Sequence, residues 1–292
     1  MIPPVKDNLK FVAIGLVLIS MMFAVLSCDL NDLIGNGDLS PEDQAATVQS
    51  LLETEIAGLT GATDTPEPTE IPLPLDCSGA TFNLDPGIAA SVTAQTIPAE
   101  AGDPMMTFTI HPEYVEYSFS GYALSNTFHE PKIRIYPVDE FVAMVPYVGN
   151  IVTDLGLLLL SAPSPPSDGI PFLPIWNAAQ MMHAKESYLN FQNGSGIRFL
   201  SQYGQAYWLI NNHDLFYTYQ GLTDDEACYV SAIFPVSNPA LPNEGAPPPG
   251  GTEADMIAYY DTIVIQLNAL GDSTFLPQLG TLDALIASLL VQ

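Results

Sequence analysis

Three observations predict an α+β fold, an antiparallel sheet of hairpins covered by helices. Apolar patterning runs in the order strands, helices, strands, helices, which places helices against an antiparallel sheet rather than between parallel strands. Two stretches, residues 186–203 and 214–236, each read as a pair of strands joined by a polar turn. The composition, 48% hydrophobic and 13% charged, is that of a chain that buries a core.

Taken in order, the short runs Ala80–Leu84, Ala90–Ile97, Met106–Ile110 and Tyr114–Tyr122 are β-branched or aromatic and are cut by Pro, Gly and Asp, so they read as strands. Residues 132–136, KIRIY, form another, with Lys132 and Arg134 on one face, ended by Pro137. Asp139 to Leu160 then carries Phe141, Val142, Val145, Val148, Ile151, Val152 and Leu155 at helical spacing. Pro146 is expected to kink that helix. After the loop SAPSPPSDG, Trp176 to Lys185 reads as a short helix. In the first hairpin Asn193-Gly194 forms the turn; in the second, residues 223–226 do. Helices are expected over Glu253–Leu270 and Leu282–Leu290.

The first 76 residues read differently. Lys6 and Lys10 precede an apolar run from Phe11 to Leu26, broken only by Gly15 and Ser20. This is the layout of a secretory signal, residues 1–27. The run is about 16 residues, short of the roughly 20 that a bilayer-spanning helix needs. Val25-Leu26-Ser27-Cys28 resembles the bacterial lipobox. That resemblance implies cleavage before Cys28 and a diacylglyceryl group on its sulfur, and it implies the outer face of a cell membrane. Asp29 resembles an inner-membrane retention signal of bacteria with two membranes. Residues 28–76 then form a tether. Ser40-Pro41-Glu42-Asp43 starts a helix expected over about 40–58. The four prolines and the acids of residues 62–76 make a stiff spacer, at about 3 Å per residue roughly 45 Å long. Residues 77–292 form one globular extracytoplasmic domain.

Without residues 1–27 the chain keeps four basic side chains, Lys132, Arg134, Lys185 and Arg198, against 32 acids. Such a surface repels phosphate backbones and excludes nucleic acid as a partner. Anionic headgroups are repelled as well, which leaves the acyl chains to hold the membrane. Cys77 and Cys228 remain after Cys28 is spent on lipid, and an exported chain lets them pair.

The phrases IRIYPVDEF, NAAQ, GIRFLSQYGQ, LFYTYQGLTDD and LDALIASL, spread over about residues 80–290, resemble a group of uncharacterised exported bacterial lipoproteins, which name no activity. An early strand after a polar turn, a central meander and a closing helix are similar to the PsbP-like α-β-α sandwich. That likeness implies an architecture, and fold does not carry function.

The motifs of catalysis are sparse. Ser195 lies in GSG, not G-x-S-x-G, and no phosphate loop or dinucleotide fingerprint is present. The histidines are His111, His129, His183 and His213. His183 and Glu186 would share one helical turn, and a zinc site would need a third ligand from elsewhere. Asp224-Asp225-Glu226 could hold calcium with backbone carbonyls or serve as a polar turn. No other metal or cofactor is expected. Residues 202–221 are the richest stretch, with Tyr203, Tyr207, Trp208, Tyr217 and Tyr219 among Gln202, Gln205, Asn211, Asn212 and Gln220. Rings supply contact area and neutral amides supply direction, a pairing suited to glycans or peptides. Tyrosine is equally a favoured strand residue, and buried amides brace loops. From this stretch Trp208, Tyr207, Tyr203, Gln205, Asn212 and His213 are the candidate binding residues. The expectation is a membrane-anchored extracytoplasmic lipoprotein whose domain binds a glycan, peptide or protein ligand without catalysis. An extracellular hydrolase and a structural envelope protein are the alternatives.

Overall fold

A computed structural model describes residues 75–103, 105–166, 169–247 and 252–292. The expected signal, Cys28 as the expected lipidation site, the expected tether helix and most of the expected spacer lie outside the described residues. Those described belong to one unit, Pro72–Gln292. The fold is α+β. Its main sheet has seven antiparallel strands: β2 (Ser91–Ile97), β3 (Tyr114–Ser120), β4 (Lys132–Pro137), β8 (Cys228–Pro235), β7 (Phe216–Thr223), β6 (Gly194–Gly204) and β5 (Ala179–Phe191), in that spatial order. Two short strands, β1 (Ala80–Thr81) and β9 (Leu290–Val291), pair separately.

Period-two alternation splits the sheet into two buried faces. Val115, Ile133, Ile135, Tyr217, Tyr219, Val230 and Phe234 face one core, closed by α3 (Glu253–Ala269) and α4 (Leu279–Ala287). Tyr136, Ile197, Phe199, Phe216, Tyr229 and Ile233 face the other, closed by α1 (Val138–Met144), α2 (Tyr147–Ser161) and part of residues 169–178. Helices therefore cover both faces of the sheet. The helix α3 starts at a reciprocal cap between Thr252 and Asp255.

Several sequence expectations are corrected. The single kinked helix of residues 139–160 is two helices, because Pro146 stands at the start of α2, where its missing N–H costs nothing. Residues 107–109 form a 3₁₀ turn rather than a strand. The first strand shortens to Ala80–Thr81, and the last helix ends at Ala287 so that Leu290–Val291 can pair with it. The largest correction is at residues 176–185. Ala, Gln and Met favour a helix locally, yet from Ala179 onward this segment is strand β5, whose pairing with β6 buries Met182 and Ala184. Tertiary pairing overrides propensity. The strand is bulged between Ala184 and Ser187, with Lys185 at φ 59°. Lys185 is fixed there by its N–H to Asn268 and its Nζ to the Leu270 carbonyl.

The first hairpin turns on Gln192-Asn193, one residue earlier than expected, since Phe191 pairs with Gly194. The Asn193 amide exchanges two hydrogen bonds with Val291, which ties the turn to β9. Gly194 is needed for space: a Cβ there would strike the Phe191 ring and the Leu222 carbonyl. The second hairpin matches its expected place. Cys77 and Cys228 form a disulfide, joining the segment before β1 to β8. No described helix is long and apolar enough to cross a membrane.

Candidate binding cleft

One end of the sheet gathers the start of β4, the end of β8, the start of β7 and the end of β6. Over it lies a segment, residues 169–178, held to the sheet by a buried polar network. The Leu173 N–H donates to Gln220 Oε1 at 2.9 Å, and the Tyr229 hydroxyl donates to the same oxygen at 2.7 Å. Gln220 Nε2 donates to Thr218 at 2.8 Å, while the Ser231 hydroxyl donates to the Leu173 carbonyl. Further along, the Ile170 N–H donates to Gln180 Oε1, and Gln180 Nε2 donates to the Tyr203 hydroxyl at 3.0 Å. These bonds place Trp176 at the sheet's end.

Between this strap and residues 128–134 opens a cleft of about 770 Å³, lined by His129, Lys132, Arg134, Trp176, Tyr203 and Gln205 among others. His129 stacks on Trp176 with centroids 4.9 Å apart and an 8° interplanar angle, and meets the edge of Phe216 at 4.5 Å. Tyr203 stands perpendicular to Trp176 at 5.0 Å. Gln205 is oriented by donating to the Asn177 carbonyl at 2.8 Å. Trp176 and Tyr203 also wall a second groove, beneath α2, lined by Tyr147, Ile151, Asp154 and several prolines. That groove has no cationic side chain and no histidine among its described lining.

The cleft floor is ionic. Glu116 on β3 is buried; one carboxylate oxygen lies 2.8 Å from Lys132 Nζ and the other 2.8 Å from Arg134 Nε. Burial opposes ionisation, but the Lys132 hydrogen bond and the Arg134 charge win and hold the Glu116 carboxyl below its ordinary value. Lys132 also pairs with the exposed Glu130 at 3.1 Å. The other two Lys and Arg side chains among the described residues, Lys185 and Arg198, lie on the opposite face of the sheet with Asp272 and Asp283. Burial raises the Asp283 carboxyl, against the Arg198 charge and the Tyr217 hydrogen bond.

Burial pushes His129 down to about 4, with Asp214 opposing, so the ring is neutral at pH 7. The unfolded ring protonates near pH 6.5 and the folded ring only near 4, so the penalty begins as pH falls below about 6.5 and grows until about 4. Unfolding in urea at pH 7 and pH 4.5 should show wild type losing roughly 2–3 kcal/mol more than His129→Gln across that interval. Equal losses in the two proteins would remove His129 as a source of acid sensitivity.

The candidate residues of the sequence divide. Tyr203 and Gln205 line the cleft. Tyr207 and Trp208 are exposed on the following loop, which α3 holds: the Tyr260 hydroxyl bridges the Trp208 N–H and carbonyl, and the Tyr259 hydroxyl accepts from the Ile210 N–H. Trp208 and His213 border a smaller depression with Asp214, Glu244, Gly245 and Asn126. There His213 Nδ1 lies 2.6 Å from Asp214 Oδ1. The Asn212 amide is committed to structure, donating to Leu241 and Asn243 and accepting from Asn238. Tyr217, Tyr219, Gln202 and Gln220 are buried. His183 and Glu186 meet at 2.5 Å across the β5 bulge, not along a helical turn. Asp225 folds back on the second hairpin tip, accepting from Thr223, Ala227 and Leu75. No group of three or more metal-binding side chains is assembled among the described residues.

His129 and Trp176 escaped the sequence reading. Trp176 opens the segment expected as a helix, which forms strand from Ala179 instead, and His129 sits in a loop without a motif. The alternation of Lys132 and Arg134 with Ile133 and Ile135 was the available signal. Comparison with protein-family models, curated proteins and solved structures finds no match for this chain.

Proposed function

We propose that this protein is a lipid-anchored extracytoplasmic domain that captures a ligand, without catalysis, in the cleft of His129, Trp176, Tyr203 and Gln205. The cleft itself carries the reading: its walls are aromatic, its rim holds an oriented amide, and its floor holds two cations on a buried acid. That mixture of apolar surface with a few convergent polar groups is the usual makeup of a binding site. The lipobox-like Val25-Leu26-Ser27-Cys28 supports membrane attachment, and the proline composition of residues 62–76 supports a spacer. The depression beside Trp208 contains a His–Asp pair but no Ser, Thr or Cys among its described lining, which disfavours a hydrolase there.

Trp176 and Trp208 are the two tryptophans of the chain, so fluorescence can be assigned. In a Trp208→Phe background, a panel of soluble glycans and peptides added to the detergent-solubilised full chain should quench or shift Trp176 emission saturably. A response confined to Trp208, in a Trp176→Phe background, would move the site to the neighbouring depression. Anchoring has its own test. Cys28→Ser should release the protein from membranes or block its processing; unchanged fractionation and unchanged mass would defeat the lipoprotein reading.

A further inference from the structure

Resting on the binding cleft just proposed, we infer that its ligand is a small organic molecule with a carboxylate, which displaces Glu130 from Lys132 and engages Lys132 and Arg134. Four basic side chains follow Cys28 in the sequence. Two of them, Lys185 and Arg198, are tied to Asp272 and Asp283 on the far face. The other two line this cleft.

Their partner acids differ in kind. Glu116 is buried, is ionised by its two contacts, and does not line the cleft. It acts as a fixed counter-charge that holds the Lys132 and Arg134 side chains in place. Glu130 has a side chain 78% exposed, and a pair of that kind gains little over water. It is therefore the exchangeable partner. With Glu130 in place the four charges cancel; with Glu130 swung into solvent the floor carries one net positive charge. Arg134 has five N–H donors, of which Nε goes to Glu116 and another faces the Tyr114 hydroxyl; the rest of the guanidinium suits a carboxylate. The surplus acids elsewhere are screened beyond about 8 Å at physiological salt, so the local balance decides. The remaining walls, His129, Trp176 and Tyr203, accept the uncharged body of the ligand.

The test uses the Trp208→Phe full chain and Trp176 emission. The probes are glucuronate and phenylacetate, against glucose and 2-phenylethanol as their uncharged counterparts. At least one carboxylate should titrate about tenfold more tightly than its counterpart, and the two acids separate a sugar source from an aromatic one. Glu130→Gln, an exposed change that leaves the fold alone, should tighten that carboxylate about threefold. Lys132→Gln should weaken it about tenfold. If the uncharged counterparts bind as tightly, or Glu130→Gln weakens the carboxylate or leaves it unchanged, the carboxylate assignment falls while the cleft stands. If neither the four probes nor the glycan and peptide panel perturbs Trp176, both the assignment and the cleft fall.

Discussion

Removing the Cys77–Cys228 bridge, by reduction or by the double change Cys77→Ala, Cys228→Ala, is expected to lower stability by about 2–5 kcal/mol. The bridge closes a loop with a sequence separation of 151. In the chain-entropy picture a loop of that length restricts the unfolded chain by about 5 kcal/mol, and relaxation usually leaves less. The native contacts around it are not expected to vanish. Leu75 donates to Asp225, the Tyr117 hydroxyl bonds to Ala80, and Gln292 donates to Gly79. These should keep residues 75–81 close to β8 and β9 in the folded state, so the loss should appear in the urea midpoint and not as a changed native spectrum. Early proteolysis before Ile88 would mark local fraying of the segment. A midpoint shifted by less than about 0.5 kcal/mol would mean that the unfolded chain is already compact enough for the bridge to restrict little.

The antiparallel sheet was readable because each of its strands from β6 to β8 obeys a local rule. Gly194 and the tip at residues 223–226 mark hairpin turns, and the runs between them are aromatic or β-branched. The bridge was readable for a different reason, since setting Cys28 aside as the expected lipidation site leaves two cysteines to pair. What failed was context. Residues 179–185 carry helix-favouring Ala, Gln and Met, and nothing local says that β6 offers an unpaired edge. Pro146 signalled a disturbance, but whether it kinks or divides a helix depends on packing against the sheet. The cleft was half legible. Tyr203 and Gln205 belong to the aromatic and amide stretch, and Lys132 and Arg134 alternate visibly on one face. Their meeting required the spatial order β4-β8-β7-β6, which brings residues 128–134, 176–178 and 203–205 together from three distant parts of the chain. Trp208 and Tyr203 are five residues apart yet border different depressions, because the strand ends between them and α3 takes hold of the loop.

Gln220→Leu is expected to cost about 3–5 kcal/mol and to loosen the strap that carries Trp176. The substitution keeps the volume roughly constant, so the cost is polar. Gln220 is fully buried. Its Oε1 is the acceptor for the Leu173 N–H and for the Tyr229 hydroxyl, at 2.9 and 2.7 Å. Leucine leaves both donors in a dry interior, each at about 1–3 kcal/mol. It also removes the donor to Thr218 and Ser231, although Ser231 retains its own bond to the Leu173 carbonyl. Two consequences separate this network from ordinary core packing. First, stability should fall in urea titrations, while Gln205→Leu, on an exposed side chain, should change it by less than about 0.5 kcal/mol. Second, the loss should be felt at the cleft before global unfolding, because Leu173 is the buried anchor of residues 169–178 and Trp176 lies three residues beyond it. Acrylamide should therefore quench Trp176 more readily in the variant, under conditions where far-ultraviolet circular dichroism is unchanged. A variant that loses less than about 1 kcal/mol, with Trp176 shielded as in wild type, would show that the strap is held by its apolar contacts, Ile170, Phe172 and Leu173, and that the polar latch is incidental.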